Sequence, residues 1–229
     1  MRATRWALGL TGDLFVTAGV LLLLFVGWQL WWTDVTANRV QDDTVHSLAR
    51  DFASGSPGSA GVAAGATQTP AAVPFGAAFA IVRIPRLADD YARPVLEGTT
   101  HDILEGGVGH YDGTARPGAV GNFAIAGHRT TYGRPFHDID QLREGDKVVV
   151  ETRTAYHVYA VKRHVIVAPT DVEVIAAVPE QVGAKPTERW LTMTACHPKY
   201  SAAQRYVVFA ELEKTYPRAK GLPAGILAA

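Results

Sequence analysis

A long, uninterrupted run of apolar residues lies near the start of the chain. Residues 14–32 (LFVTAGVLLLLFVGWQLWW) contain no charged side chain. A helix of about 19 apolar residues can cross the roughly 30 Å hydrocarbon core of a bilayer. Arg2 and Arg5 precede the run and Asp34 follows it. This charge asymmetry predicts a cytoplasmic N-terminus over residues 1–13, a single transmembrane helix over 14–32, and a body on the outer side of the membrane.

The apolar run has two other possible interpretations, a signal peptide and a buried core helix. A cleaved signal peptide needs a short apolar core and a cleavage site made of small residues. Here the run is long and ends in Trp28, Trp31 and Trp32, which instead suit the interface between membrane and water. A buried core helix would show a polar face, and this run has none. We therefore favour a retained anchor.

Residues 33–75 predict a polar stalk followed by a linker. In the first part, apolar or small side chains recur at the spacing of a helix, at Val40, Thr44, Val45, Leu48 and Phe52. Residues 53–74 are built mainly from Gly, Ala, Ser, Thr and Pro. Such a segment buries too little surface to offset its ordering entropy, so we expect a flexible tether.

The body, residues 76–216, shows β-branched stretches separated by turns. A short helix is predicted over 101–108, and residues 88–96 are interpreted as irregular. Few helices and many short strands predict an all-β barrel or sandwich. Residues 217–229 are interpreted as a loose tail without a role. The predicted strands are residues 79–85, 122–127, 146–153 (DKVVVETR), 155–168 (AYHVYAVKRHVIVA), 189–196 and 205–212.

The net charge and the cysteine content exclude some classes of function. The formal net charge is +0, whereas nucleic-acid-binding proteins usually carry a basic excess. Cys196 is the single cysteine, which excludes an intramolecular disulfide and a cysteine-based metal cluster. A lone cysteine in an exported domain is notable because oxidation threatens it.

Three residues at predicted strand ends could carry chemistry. His128 follows the strand NFAIAG, Cys196 ends RWLTMTAC, and Arg205 begins RYVVFAEL. A thiolate can attack a carbonyl when an imidazole promotes its ionisation, and the imidazole can protonate a leaving amine. A guanidinium can donate to the developing oxyanion. Together these residue types are compatible with acyl transfer through a thioester.

Each of these residues also has an ordinary structural interpretation. A lone cysteine is often a small core residue, and a strand-end arginine is often solvated. His110, His137 and His197 compete with His128 as candidates. Strand alternation puts Leu191, Met193 and Ala195 on one face and Cys196 on the other. Because the first face suits a barrel interior, Cys196 is expected to be reachable from outside.

Two segments resemble the sortase family. TMTAC (residues 192–196), followed by a loop and Arg205, resembles the TLxTC strand and the arginine of that family. GNFAIAGHRTTYGRPF resembles its histidine segment and aligns His128 with the catalytic histidine. The resemblance covers residues 77–212. It implies an eight-stranded sortase β-barrel with short helices and a cysteine transpeptidase using His128, Cys196 and Arg205.

The segments GHYDGTARPG and CHPKYSAAQR resemble class E, the actinobacterial housekeeping type. This implies cleavage of a secreted protein's C-terminal LAxTG-like or LPxTG-like sorting signal between Thr and Gly. The acceptor would be an amine of lipid II or of the peptidoglycan cross-bridge. Tyr111, Thr194 and Ala195 become candidate substrate-binding residues. Met193 and Ala195 stand where the family usually has Leu and Thr.

The main rival function is a non-catalytic, membrane-tethered β-domain that binds peptide or cell wall. It would not require His128, Cys196 and Arg205 to lie together. An L,D-transpeptidase would carry an SHGC-like segment, and MTAC does not match it. A metal site built on the adjacent Cys196 and His197 suits tetrahedral coordination poorly. We expect no metal and no cofactor.

Overall fold

A computed structural model of the chain describes residues 2–54 and 73–227. Within them, eight strands form a closed barrel in the order β1-β2-β3-β4-β7-β8-β6-β5. The β2–β3 and β4–β7 pairs are parallel, and the other pairs are antiparallel. The predicted tether lies almost entirely outside the described residues. The strands are β1 (Ala78–Arg83), β2 (Arg93–Glu97), β3 (Val108–His110), β4 (Gly121–Ala126), β5 (Lys147–Glu151), β6 (Ala155–Val167), β7 (Arg189–His197) and β8 (Gln204–Pro217).

The prediction of an all-β fold is confirmed, and the closed barrel decides between the two architectures left open. The short helix α2 (His101–Glu105) also lies where it was predicted. The interpretation of residues 88–96 as irregular is wrong, because β2 occupies their second half. Pro94 obscured this strand, since proline cannot donate to a sheet ladder. The three-residue β3 is too short to show an alternation.

The barrel interior holds one continuous apolar core, because alternate side chains of each strand point inward. On β7 these are Leu191, Met193 and Ala195, as the alternation predicted. On β4 they are Phe123 and Ile125. The intervening side chains of β4 and β7 therefore share the outer face, and both strands run in the same direction towards one end of the barrel.

The helix α1 (Arg2–Ser54) is continuous and includes both the apolar run and the predicted stalk helix. It contains an 18-residue window with a mean hydropathy of 2.0 that is not buried against the barrel, long and apolar enough to cross a membrane. The later part packs on the barrel, where Val45, Leu48 and Phe52 contact Ile81 of β1.

The buried positions of α1 coincide only in part with the helically spaced positions noted in the sequence. The buried positions are Ala37, Gln41, Val45, Leu48 and Phe52, spaced by three or four residues. Val40, one of the positions with helical spacing, is 56% exposed and lies off this face. The polar Gln41 takes its place because the barrel surface offers hydrogen-bond acceptors there.

The segment after β8 also contributes to this packing. Arg218 donates to Glu151 Oε1 at 2.8 Å and to the carbonyl oxygen of Phe52 at 3.1 Å. Its guanidinium lies 5.0 Å from the centroid of the Phe52 ring. The interpretation of residues 217–229 as a tail without a role is therefore wrong for Arg218, which joins the barrel to α1.

Candidate active site

The three predicted catalytic residues lie at one end of three neighbouring strands. Cys196 is near the end of β7, and Arg205 is near the beginning of β8. His128 lies two residues beyond the end of β4, the parallel neighbour of β7. The structure therefore brings together residues that are separated by up to 77 positions in sequence.

Cys196 and Arg205 face each other directly across the antiparallel β7–β8 pair. Such opposite residues point to the same face, with Cβ atoms about 4.5–5.5 Å apart. Their neighbours Ala195 and Tyr206 point into the core, so this shared face is the outer one. Cys196 is a free, partly exposed thiol. The Nη1 group of Arg205 donates to the carbonyl oxygens of Ala202 and Gln204, both at 3.0 Å.

His128 is held beside β7 by an extension of the sheet. The backbone N–H of Gly127 donates to the carbonyl oxygen of Thr194 at 3.1 Å. His128 directly follows this hydrogen-bonded residue, at the same end of the barrel as Cys196. The Nε2 atom of His128 is buried and has no hydrogen-bond partner among the described residues. A buried polar atom without a partner is uncommon, and catalytic sites are among the places where it occurs.

Close packing explains why a glycine, Gly127, precedes His128. A Cβ atom at Gly127 would lie 2.6 Å from the ring of the fully buried Phe136. Phe136 in turn donates its backbone N–H to the carbonyl oxygen of His128 at 3.0 Å. Position 127 therefore has no room for a side chain while the Phe136 ring stays in place.

Aromatic rings surround His128. The ring of Tyr132 lies 5.1 Å from its ring and that of His101 lies 5.7 Å away, measured between centroids. Burial lowers the pKa of His128 below its usual value, and the neighbouring His101 lowers it further, while Glu105 opposes this. The imidazole is therefore mainly neutral at neutral pH and can accept a proton.

Sequence reasoning missed Arg129, which is 2% exposed and lies beside the thiol segment. Its Nη1 group donates to the carbonyl oxygen of Cys196 at 3.3 Å and to His197 Nδ1 at 2.8 Å. Its Nη2 group is paired with Asp140 at 3.0 Å. Arg129 thus connects the chain after His128 to the end of β7. Its position next to His128 was the one feature of the sequence that could have pointed to it. Without the fold, however, an arginine at this position is expected to be exposed to solvent.

Two of the candidate substrate-binding residues touch each other. The Tyr111 hydroxyl and Thr194 Oγ1 form a hydrogen bond of 2.9 Å on the outer face of β7. Ala195 is 3% exposed and belongs to the barrel core. Any contact of Ala195 with a substrate on this face is consequently limited to its backbone.

The competing histidines have other partners. His110 is buried, and its Nδ1 contacts Glu97 Oε2 at 3.0 Å, while Arg116 donates to the same carboxylate at 2.6 Å. His137 Nδ1 donates to the carbonyl oxygen of Arg129 at 2.8 Å. Among the residues that the structure describes, no three or more His, Cys, Asp or Glu side chains are grouped to hold a metal ion.

Comparison with known proteins identifies the family. A family model of the sortase domain matches residues 82–213. Sortase SrtE1 of Streptomyces coelicolor is 38% identical over 224 residues, which cover 94% of this chain and 60% of that protein. The chain therefore spans less than two thirds of the length of this relative.

Solved structures agree with this match. Sortase E from Streptomyces avermitilis has 44% identity and a TM-score of 0.61, covering 67% of this chain and 99% of that one. Sortase E1 from Streptomyces coelicolor, with a tripeptide in its active site, has 40% identity and a TM-score of 0.61, covering 68% and 99%. The chain belongs to the sortase family of cysteine transpeptidases, and the prediction of class E is confirmed.

Proposed function

We propose that this protein is a membrane-anchored transpeptidase that cleaves an LAxTG-like or LPxTG-like sorting signal between Thr and Gly. It then transfers the secreted protein to an amine of lipid II or of the peptidoglycan cross-bridge. The single observation that carries the proposal is the convergence of Cys196, Arg205 and the His128 segment at one end of the barrel. A non-catalytic β-domain would not require this convergence.

The geometry supports a two-step acyl transfer. In the first step His128 takes the proton of the Cys196 thiol, and the thiolate attacks the carbonyl carbon of the signal's Thr. Arg205 donates to the oxyanion that develops there. The C–N bond to Gly then breaks, the leaving amine takes the proton from His128, and a thioester remains on Cys196.

In the second step the acceptor amine attacks the thioester. Its excess proton passes to His128 and then to the departing Cys196 thiolate, which restores the resting state. The N–H groups of Arg205 other than those of Nη1 have no partner among the described residues, so they are free to bind the substrate oxygen.

The hydrogen bond between Tyr111 and Thr194 supports a role for both residues in binding the signal. It lies on the same outer face, two residues before Cys196. An extended peptide bound along β7 and leading to the thiol would pass over this pair. Sortase E1, whose structure has a tripeptide in its active site, is a relative on which the register of such a peptide can be tested.

The apolar part of α1 supports the membrane assignment. Its side chains in the window are not buried by the barrel, and the large ones such as Leu23 (73% exposed) and Phe15 (72%) would otherwise face water. Burial in a bilayer removes that apolar surface from water. We propose that α1 anchors the protein with its N-terminus in the cytoplasm and the barrel outside.

The proposal is tested by incubating the purified full chain with a fluorescent LAxTG-type peptide and an amine acceptor. We expect cleavage and transfer by the wild type and neither by Cys196→Ala. We also expect alkylation of Cys196 to abolish activity and substrate peptide to slow the alkylation. Cleavage retained by Cys196→Ala, or full activity after complete alkylation, contradicts the proposal.

The role of Arg205 is tested separately. Arg205→Ala should lower kcat by about 10²–10³, the usual effect of removing an oxyanion donor. Arg205→Lys should recover only part of this loss because lysine lacks the planar fork of N–H groups. Complete recovery with lysine would mean that charge alone is needed at this position.

A further inference from the structure

The later part of α1 holds one peptide bond in the segment that follows His128. Gln41 Nε2 donates to the carbonyl oxygen of Tyr132 at 2.9 Å, and Asp34 Oδ1 accepts from the N–H of Gly133 at 3.2 Å. These two groups belong to the same peptide unit, so α1 satisfies both of its polar atoms. Asp34 Oδ2 is also paired with Arg134 at 3.0 Å. Gln41 is fully buried in this contact.

The segment held in this way has an unfavourable backbone conformation. Tyr132, Gly133 and Arg134 have φ values of 52°, 74° and 49°. Two of these residues carry side chains, for which the left-handed region is disfavoured. Such a conformation persists when its surroundings hold it in place. A Cβ at Gly133 would lie 2.8 Å from Asn38 Oδ1, which shows how closely α1 approaches.

The same segment carries the aromatic ring that covers His128. The Tyr132 ring packs on the rings of both His128 and His101, with centroid distances of 5.1 Å and 5.4 Å. Gln41 Nε2 also donates to the carbonyl oxygen of Glu105 at 3.2 Å, at the end of the helix that carries His101. One buried amide therefore links α1 to the two elements that enclose the imidazole.

We infer that Gln41, assisted by Asp34, is a positioning residue for catalysis, through which the helix of the anchor fixes Tyr132 and α2 around His128. The inference rests on the proposed function, in which His128 is the acid–base group. It makes the stalk helix, for which the sequence predicts only a polar stalk, a part of the catalytic unit. Loosening this contact should hydrate His128 and misplace it relative to Cys196.

The test uses the full chain in detergent micelles with two changes at Gln41. Gln41→Leu keeps the position buried but removes both donors. Gln41→Glu nearly keeps the shape but directs a carboxylate at two carbonyl oxygens. Arg39→Gln is the matched control for the second change, because it makes the same change in net charge at an exposed position of the same helix. Asp34→Ala removes the second contact and leaves Gln41 intact.

We expect both Gln41 variants to lower kcat about tenfold to a hundredfold, the scale of effects caused by small misplacement of a reacting group. KM should change less than threefold, and Arg39→Gln should behave as the wild type. Asp34→Ala should lower kcat by a smaller factor. Wild-type kcat in both Gln41 variants, with unchanged melting temperature, overturns the inference.

A second measurement does not depend on activity. The titration midpoint of His128 can be followed by NMR of 13C-labelled histidine, with its signal assigned by its loss in His128→Asn. In Gln41→Leu, which introduces no charge, the midpoint should rise from its lowered value towards about 6.5 as water reaches the ring. An unchanged midpoint in a folded variant contradicts the inference, even if the wild type cleaves no sorting peptide and the proposed function fails.

Discussion

His128 illustrates how the surroundings of one residue set its chemistry. Its ring is enclosed by Tyr132 and His101, and its buried Nε2 has no partner among the described residues. Burial lowers its pKa, with a smaller contribution from His101. The lowered pKa favours the neutral imidazole, the form that accepts the thiol proton of Cys196 in the proposed mechanism.

This setting predicts the pH dependence of activity. Protonated His128 cannot accept a proton, so kcat/KM should fall as pH drops through the lowered pKa of His128, below about 6.5. Glu105→Gln should move this acidic limb to lower pH, because Glu105 raises the pKa of His128. His101→Gln should move it to higher pH. A pH profile of peptide cleavage measures the limb, and shifts in the opposite directions would contradict the assignment.

At the scale of elements, the site is formed where β4 and β7 end and β8 begins. The β-branched stretches of the sequence place His128, Cys196 and Arg205 at strand ends, and the resemblance to the sortase motifs selects them among the competing residues. Alternation also assigned Ala195 to the interior. The sequence could not predict the burial of polar residues whose hydrogen-bond partners are far away along the chain. Arg129 and Gln41 are polar residues that look solvated until the fold surrounds them with acceptors.

Arg129 joins β7 to the segment after His128, and this contact predicts the effect of replacing Arg129. Arg129→Ala should lower the free energy of unfolding by roughly 2–3 kcal/mol, the scale of charge-assisted hydrogen bonds. It should also lower kcat, because Cys196 and His128 lose their common support. Arg129→Lys should recover only part of both, since one ammonium cannot replace the fork.

Urea unfolding and peptide cleavage provide these measurements. Arg143→Ala changes an exposed arginine and serves as the control. Wild-type stability and activity in Arg129→Ala would show that the contacts of Arg129 with Cys196, His197 and Asp140 contribute nothing measurable.

At the scale of the whole molecule, the later part of α1 packs on the barrel, with buried side chains from Ala37 to Phe52. Gln41 is nine residues beyond Trp32, so along a helix it lies about 14 Å from the end of the apolar run. If α1 spans the membrane as proposed, the active site is held close to its surface, where a lipid-linked amine would be presented. The sequence predicted the stalk helix but not its packing on the barrel, because helical spacing alone does not reveal what a helix packs on.

Arg218 tests this packing. It joins Glu151, which is 4% exposed, to the end of α1 at Phe52. Arg218→Ala should lower the free energy of unfolding by about 2 kcal/mol, because Glu151 then keeps only its pair with Arg83 at 2.9 Å. Lys220→Ala, at an exposed position two residues on, is the control. Equal urea midpoints for the two variants would contradict the structural role of Arg218.

The central claim is that Cys196 captures the acyl group of a sorting signal, and trapping that intermediate tests it most directly. The full chain is mixed with an LAxTG-type peptide without acceptor, quenched in acid and measured by intact mass spectrometry. We predict an added mass equal to the peptide up to its Thr, mapped to Cys196, removed by hydroxylamine and absent in Cys196→Ala. Peptide cleavage that proceeds without any adduct on Cys196, and equally well in Cys196→Ala, would contradict the account.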